Sequence, residues 1–214
     1  VEDDMIIVNL KAYSNAVGEK SEDVMEACRR ASEVTGKRVV VAPQPEDLLR
    51  AEDVEVFAQH VDGVNPGSHT GSVLARGLKE AGATGTLINH SERRLQDRDI
   101  EASVNAAKSL GLETIVCAQS PDDCEKYSRF DPDYIAFEPP ELIGGDNPVS
   151  EAKPGLIQEA VERTEADVLT GAGIKSKKDV EKSIELGCEG VLVASGVVKA
   201  NDKYAEVKEL CEGL

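Results

Sequence analysis

Short apolar blocks alternate with amphipathic stretches eight times along these 214 residues, and no other property of the chain restricts its fold as much. Strand signals fall at 5–10, 38–42, 54–59, 84–89, 113–118, 133–138, 167–170 and 190–194. Helical patterns occupy about 17–34, 46–51, 72–81, 97–110, 121–128, 149–163, 176–187 and 200–211. The first carries Val24, Met25, Ala27, Cys28 and Ala31 at helical spacing, and Gly111 closes the fourth. No linker or low-complexity tract interrupts the alternation, so one catalytic domain over 1–214 is expected. Strict βα alternation makes the strands parallel, and right-handed crossovers leave an open doubly wound sheet or a closed barrel. The count of eight favours an α/β eight-stranded parallel (β/α)8 barrel. That fold has a lower limit near 200 residues, which leaves this chain little room for insertions.

In such a barrel the chemistry lies where strands end and helices begin. Strand one ends in Asn9-Leu10-Lys11, strand four in Asn89-His90-Ser91-Glu92, and strand six at Glu138. Strands seven and eight end in Gly171-Ala172-Gly173 and Ala194-Ser195-Gly196. A lone lysine at a strand end is usually a solvated cation, and a lone histidine a hydrogen-bonded structural residue. Together these ends set a cation, an imidazole, a carboxylate and two glycine-rich anion cradles on one rim. Past Glu138 the chain reads Pro139-Pro140-Glu141-Leu142-Ile143-Gly144-Gly145-Asp146, stiff at the prolines and soft at the glycines, as a lid over a candidate base would be. The two small-residue loops allow backbone N–H groups to approach a phosphate. They do not form a dinucleotide fingerprint: Ser176 holds the third glycine position, and Val193-Ala194 stand where the ribose-binding acid belongs. Cys117, at the end of strand five, reads as a small buried filler.

The formal charge of −17, from 41 acidic against 24 basic residues, argues against nucleic acid or anionic membrane as a partner. It is read as an acidic coat suited to high salt. Five scattered cysteines without paired metal spacing predict neither a disulfide frame nor a metal site. The start Val1-Glu2-Asp3-Asp4 lacks a signal-peptide pattern and no apolar run approaches 18 residues, so a soluble, cytoplasmic protein is expected.

Taken together, Asn9-Leu10-Lys11, Gly67-Ser68-His69-Thr70-Gly71, His90-Ser91-Glu92-Arg93-Arg94, Phe137-Glu138-Pro139-Pro140-Glu141-Leu142-Ile143-Gly144 and the two small-residue loops resemble the triosephosphate isomerase family over nearly the whole chain. The Glu-Pro-Pro-Glu-Leu-Ile-Gly wording and the short length resemble its archaeal branch, and the acidity suggests a halophilic member. The resemblance implies the TIM barrel, named for this family, and cofactor-free interconversion of D-glyceraldehyde 3-phosphate and dihydroxyacetone phosphate, with no metal. It implies Glu138 as base, His90 as an electrophile kept neutral near a helix N-terminus, and Asn9 and Lys11 as polar and cationic stabilisers. Phosphate would be held around Ile143, Gly144, Gly171, Gly173, Ala194 and Ser195, with Ser91 and Glu92 in support. Thr70 would reach a neighbouring subunit's site from the long loop 60–71, implying a homo-oligomer, a tetramer with a dimer as fallback. The family commonly reads Ile-Gly-Thr-Gly in the lid, where this chain has Asp146 beside an anionic substrate. The competing readings are another phosphate-binding barrel enzyme, such as an epimerase or aldolase, and a catalytically silent barrel. The first lacks a convincing metal set among His60, His69 and His90. The second should have lost Glu138, His90 or Lys11, and none is lost.

Overall fold

The strands close on themselves in the order β1-β2-β3-β4-β5-β6-β7-β8, all neighbours parallel, in a computed structural model that describes residues 4–140 and 153–214. They are β1 Met5–Asn9, β2 Arg38–Ala42, β3 Glu55–Ala58, β4 Gly85–Ile88, β5 Glu113–Ala118, β6 Tyr134–Phe137, β7 Asp167–Thr170 and β8 Gly190–Val193. β1 pairs with both β2 and β8, which closes the barrel. Period-2 alternation sorts each apolar block into two cores. One parity, including Met5, Ile7, Val40, Phe57, Leu87, Ile115 and Leu169, fills the barrel interior. The other, including Ile6, Val8, Val39, Val41, Val116 and Ile135, packs outward against the helices. The barrel is therefore a packed core. Its N-terminal end carries a charged cluster, where Arg38 Nη2 donates to Glu55 Oε1 at 2.6 Å and Glu113 Oε1 at 2.7 Å.

The crossovers follow the expected count with local corrections. α1 spans Glu19–Thr35 and ends at Gly36 with φ +69, a left-handed cap that suits glycine. The segment expected at 46–51 is a 3-10 helix, Pro45–Arg50, because six residues behind a proline are too few to sustain an α-helix. α2 runs Ala75–Glu80 rather than from 72, because Val73 is held by Asp62: its N–H donates to Asp62 Oδ2 at 2.6 Å and its carbonyl accepts from Asp62 N at 2.9 Å. α3 Asp97–Lys108, α4 Pro121–Ser128, α5 Pro154–Arg163 and α6 Lys177–Glu185 follow. The last crossover holds two helices, α7 Ser195–Val198 and α8 Lys203–Cys211, where one had been expected from 200. Asp202 starts the second by accepting from Ala205 N at 3.0 Å. No helix among the described residues is long and apolar enough to cross a membrane, and all five cysteines are free and buried.

Candidate active site

The parity that fills the interior also selects the site. Two positions beyond the last inward-facing residues, the same alternation reaches Asn9, Gln44, Gln59, Asn89, Glu138 and Gly171 at the C-terminal rim. There the apolar column gives way to amides, a carboxylate and a glycine. A cavity of about 340 Å³ opens at this layer, lined by Asn9, Lys11, His90, Glu92, Glu138, Gly171, Gly173, Ala194 and Ser195, with Tyr13, Ile174 and Lys175 also on its wall. That is room for a small metabolite.

Glu138 follows the last residue of β6, and its N–H donates to Ala118 O at 2.8 Å, extending the ladder one step. Its side chain is buried, and Oε2 has no hydrogen-bond partner among the described residues. Burial pushes its pKa up to about 7, while the hydrogen-bonding Cys117 thiol and the Lys11 charge pull in the opposite direction. Cys117 is thus buried, as expected of a filler, and also touches the carboxylate. Gly171 is constrained by the same side chain: a Cβ there would lie 2.6 Å from Glu138 Cγ and 2.7 Å from Oε1. Only glycine leaves the carboxylate where it is.

His90 sits just past β4, buried, with Nε2 3.7 Å from Glu138 Oε1. Glu92 N donates to His90 Nδ1 at 3.2 Å, which places the neutral ring's proton on Nε2, facing the carboxylate. Burial pushes the imidazole pKa down to about 4, with the Lys11 charge adding to it, so the ring is neutral near pH 7. The amide that fixes its tautomer belongs to a turn in which Arg93 N donates to His90 O at 2.8 Å. That corrects the expected helix N-terminus, since α3 begins only at Asp97. Asn89, in the left-handed region at φ +63, anchors the turn by donating to Cys117 O at 3.0 Å and accepting from Leu95 N at 2.9 Å. Arg94 Nη1 donates to Asn89 O at 2.8 Å within the loop and to Cys117 O at 3.2 Å, which ties the loop to β5.

Lys11 faces the cavity across from these groups, its side chain 16% exposed and its Nζ 2.9 Å from Glu92 Oε1. Asn9 Oδ1 accepts from Lys11 N at 2.9 Å. Gly173, at φ +75, and Ser195, the first residue of α7, form the opposite wall. Tyr13 crosses above β1 with the Lys199 ammonium 5.1 Å from its ring centroid, and Asn15 donates to Val198 O at 2.9 Å, joining the first and last βα loops. Ser91 lies in the turn after His90 and does not line the cavity, and Thr70 is exposed in the 60–71 loop, away from it. Ile143, Gly144 and Asp146 lie outside the described residues.

The family model for triosephosphate isomerase matches residues 4–213. The chain belongs to the triosephosphate isomerase family. It is therefore an intramolecular aldose–ketose isomerase. It is 45% identical over 214 residues to the triosephosphate isomerase of Methanocaldococcus jannaschii, covering 96% of this chain and 98% of the relative. It is 46% identical over 213 residues to that of Methanosarcina mazei, covering 96% of each. The archaeal likeness read from the Glu-Pro-Pro-Glu-Leu-Ile-Gly wording and the short length thus extends to methanogen relatives over 96% of the chain. The crystal structure of triosephosphate isomerase from Bartonella henselae superposes with a TM-score of 0.76, covering 99% of this chain and 98% of the other at 20% identity, which bears on the fold.

Proposed function

We propose that Glu138 is the base that interconverts D-glyceraldehyde 3-phosphate and dihydroxyacetone phosphate in this cavity. The observation that carries the assignment is a buried carboxylate whose Oε2 has no hydrogen-bond partner among the described residues and whose Oε1 lies 3.7 Å from the Nε2 of a neutral imidazole. In the forward direction Glu138 takes the proton from C2 of the aldose, and the electron pair moves toward the C1 carbonyl oxygen to give an enediolate. His90 Nε2–H donates to the oxygens on which charge develops, and Lys11 and Asn9 offset that charge in a site with little water. Glu138 then returns a proton to C1 while the O2 hydroxyl proton passes to the C1 oxygen by way of His90, yielding the ketose. Backbone groups of Gly173 and Ser195, with Gly171 and Ala194 beside them, hold the phosphate; Ile143 and Gly144, expected to share that role, lie outside the described residues. Ser91 and Glu92 support Lys11 and the base, and Thr70, exposed in this chain, reaches a neighbouring subunit's site to support its Asn9 and Lys11. Turnover in D2O tests the route by NMR: deuterium should appear at C1 of the ketose. Product free of C1 deuterium throughout would overturn a solvent-exchanging base and point to hydride transfer.

The finer reading is a cytoplasmic, cofactor-free enzyme formed by one catalytic domain over 1–214, assembled as a homotetramer with a dimer as fallback, and adapted to high salt. The net charge of −17 supports the salt adaptation, because self-repulsion is screened when the Debye length falls to about 3 Å at 1 M. The exposed 65–71 part of the long loop supports self-association. Light scattering at molar salt should return four times the 22.9 kDa chain mass, and a monomer would contradict assembly.

A further inference from the structure

We infer that Gln44 is a positioning residue for Lys11: together with Gln59 it holds the Lys11 carbonyl, and so the left-handed backbone turn that directs the ammonium into the cavity. The inference rests on Lys11 acting as the cationic stabiliser proposed above. Lys11 has φ +48, a region where non-glycine residues are uncommon and which persists only when the surroundings impose it. Side chains fix it from both sides. On the amide side, Asn9 Oδ1 accepts from Lys11 N at 2.9 Å. On the carbonyl side, Lys11 O accepts from Gln44 Nε2 at 2.5 Å and from Gln59 Nε2 at 2.9 Å, which occupies both lone pairs.

Gln44 organises this pair. Its second N–H donates to Gln59 Oε1 at 3.0 Å, which sets which way the Gln59 amide faces. Gln59 Nε2 then reaches both Lys11 O and Ala42 O, the latter at 2.9 Å, rooting the clamp in β2. All four amide hydrogens are used. Gln44 is itself held extended (φ −59, ψ 150) by the proline that follows it, so its reach is set by the backbone. At the far end of the side chain the ammonium pairs with Glu92, 59% exposed and 2.9 Å away, which steadies the tip but leaves the backbone turn to the amide clamp. Freed from the clamp, Lys11 can relax its backbone and shift the ammonium relative to the cavity.

The test is a double-mutant cycle on the full chain, measuring kcat, KM and melting temperature for wild type, Gln44→Met, Lys11→Met and the double variant. Methionine keeps the length of the side chain and removes both donors. Gln44→Met should lower kcat/KM about tenfold, raising KM and lowering kcat together, with the melting temperature nearly unchanged; small misplacements of a charged group carry losses of this order or larger. In the Lys11→Met background the same change should have less than about a twofold effect, because the group it positions is gone. Equal losses in both backgrounds would make Gln44 a structural residue and overturn the inference. So would Gln44→Met at wild-type kcat/KM while Lys11→Met is impaired. Full activity in Lys11→Met would instead remove the assigned role of Lys11, and the inference with it. If Gln44→Met does not fold, Gln44→Asn, whose amide falls one methylene short, should show the same loss, and full activity there would overturn the inference as well.

Discussion

Replacing Gly171 by alanine adds a single methyl at the wall of the Glu138 carboxylate. The new Cβ would sit 2.6 Å from Glu138 Cγ, 2.7 Å from Oε1 and 2.9 Å from Cδ, against an ordinary contact limit of 3.4 Å. The carboxylate would therefore have to retreat by about 0.8 Å, and its Oε1 is the atom that faces His90 Nε2. It has little room to do so, being buried with Cys117 on another side. A displacement of that size at a reacting group costs on the order of 10²-fold in rate. Gly171 does not have positive φ, so alanine brings no backbone strain of its own and the fold should tolerate it. Steady-state isomerisation of glyceraldehyde 3-phosphate, coupled to a salt-tolerant dehydrogenase, should show kcat reduced about 10²-fold, with a circular-dichroism melting curve close to wild type. A folded Gly171→Ala protein with kcat within twofold of wild type would refute the packing constraint on the base.

Three further outcomes follow from the same geometry. Because Glu138 titrates near pH 7 and must be ionised to accept a proton, kcat/KM should rise as pH increases through about 7, while His90, neutral above about 4, adds no limb there; a flat profile between pH 6 and 8, with substrate ionisation accounted for, would contradict it. The Glu138 pKa is raised on folding from 4.5, so between about pH 4.5 and 7 the folded state holds the proton more tightly and this group's contribution to stability declines as pH rises. Glu138→Gln should therefore melt higher than wild type at pH 8 and show no comparable advantage at pH 4.5; calorimetry at the two pH values checks the sign. From the charge of −17, the wild-type melting temperature should fall on transfer from molar to millimolar NaCl, and an unchanged value would remove the high-salt reading.

The barrel was legible in the sequence because eight buried strands leave eight apolar blocks, and β-region spacing locates them to within a residue or so. Helix starts were less legible where a side chain claims the backbone first, as Asp62 does at Val73, or where a proline confines a short segment to a 3-10 turn, as at Pro45. Glu138, His90, Lys11 and Asn9 stood out as chemistry-bearing residues at strand ends, and they converge on one cavity. Gln44 and Gln59 did not, since a glutamine near a strand end looks like any solvated polar residue. Strand parity was the available signal: counting by twos from Val40 and from Phe57 leads to them, as counting from Ala136 leads to Glu138. The contact of Gly171 with the carboxylate could not be read, because β6 and β7 set it through register, Phe137 against Thr170, and not through composition.

The central claim is that Glu138 moves the proton, and the rate of glyceraldehyde 3-phosphate isomerisation by Glu138→Gln tests it most directly. Glutamine keeps the shape and the packing against Gly171 and removes the base. A folded variant with kcat lower by about 10²–10⁴-fold, with its KM little changed, is the predicted result. A folded Glu138→Gln enzyme that turns over within tenfold of wild type would contradict the account and place the base elsewhere.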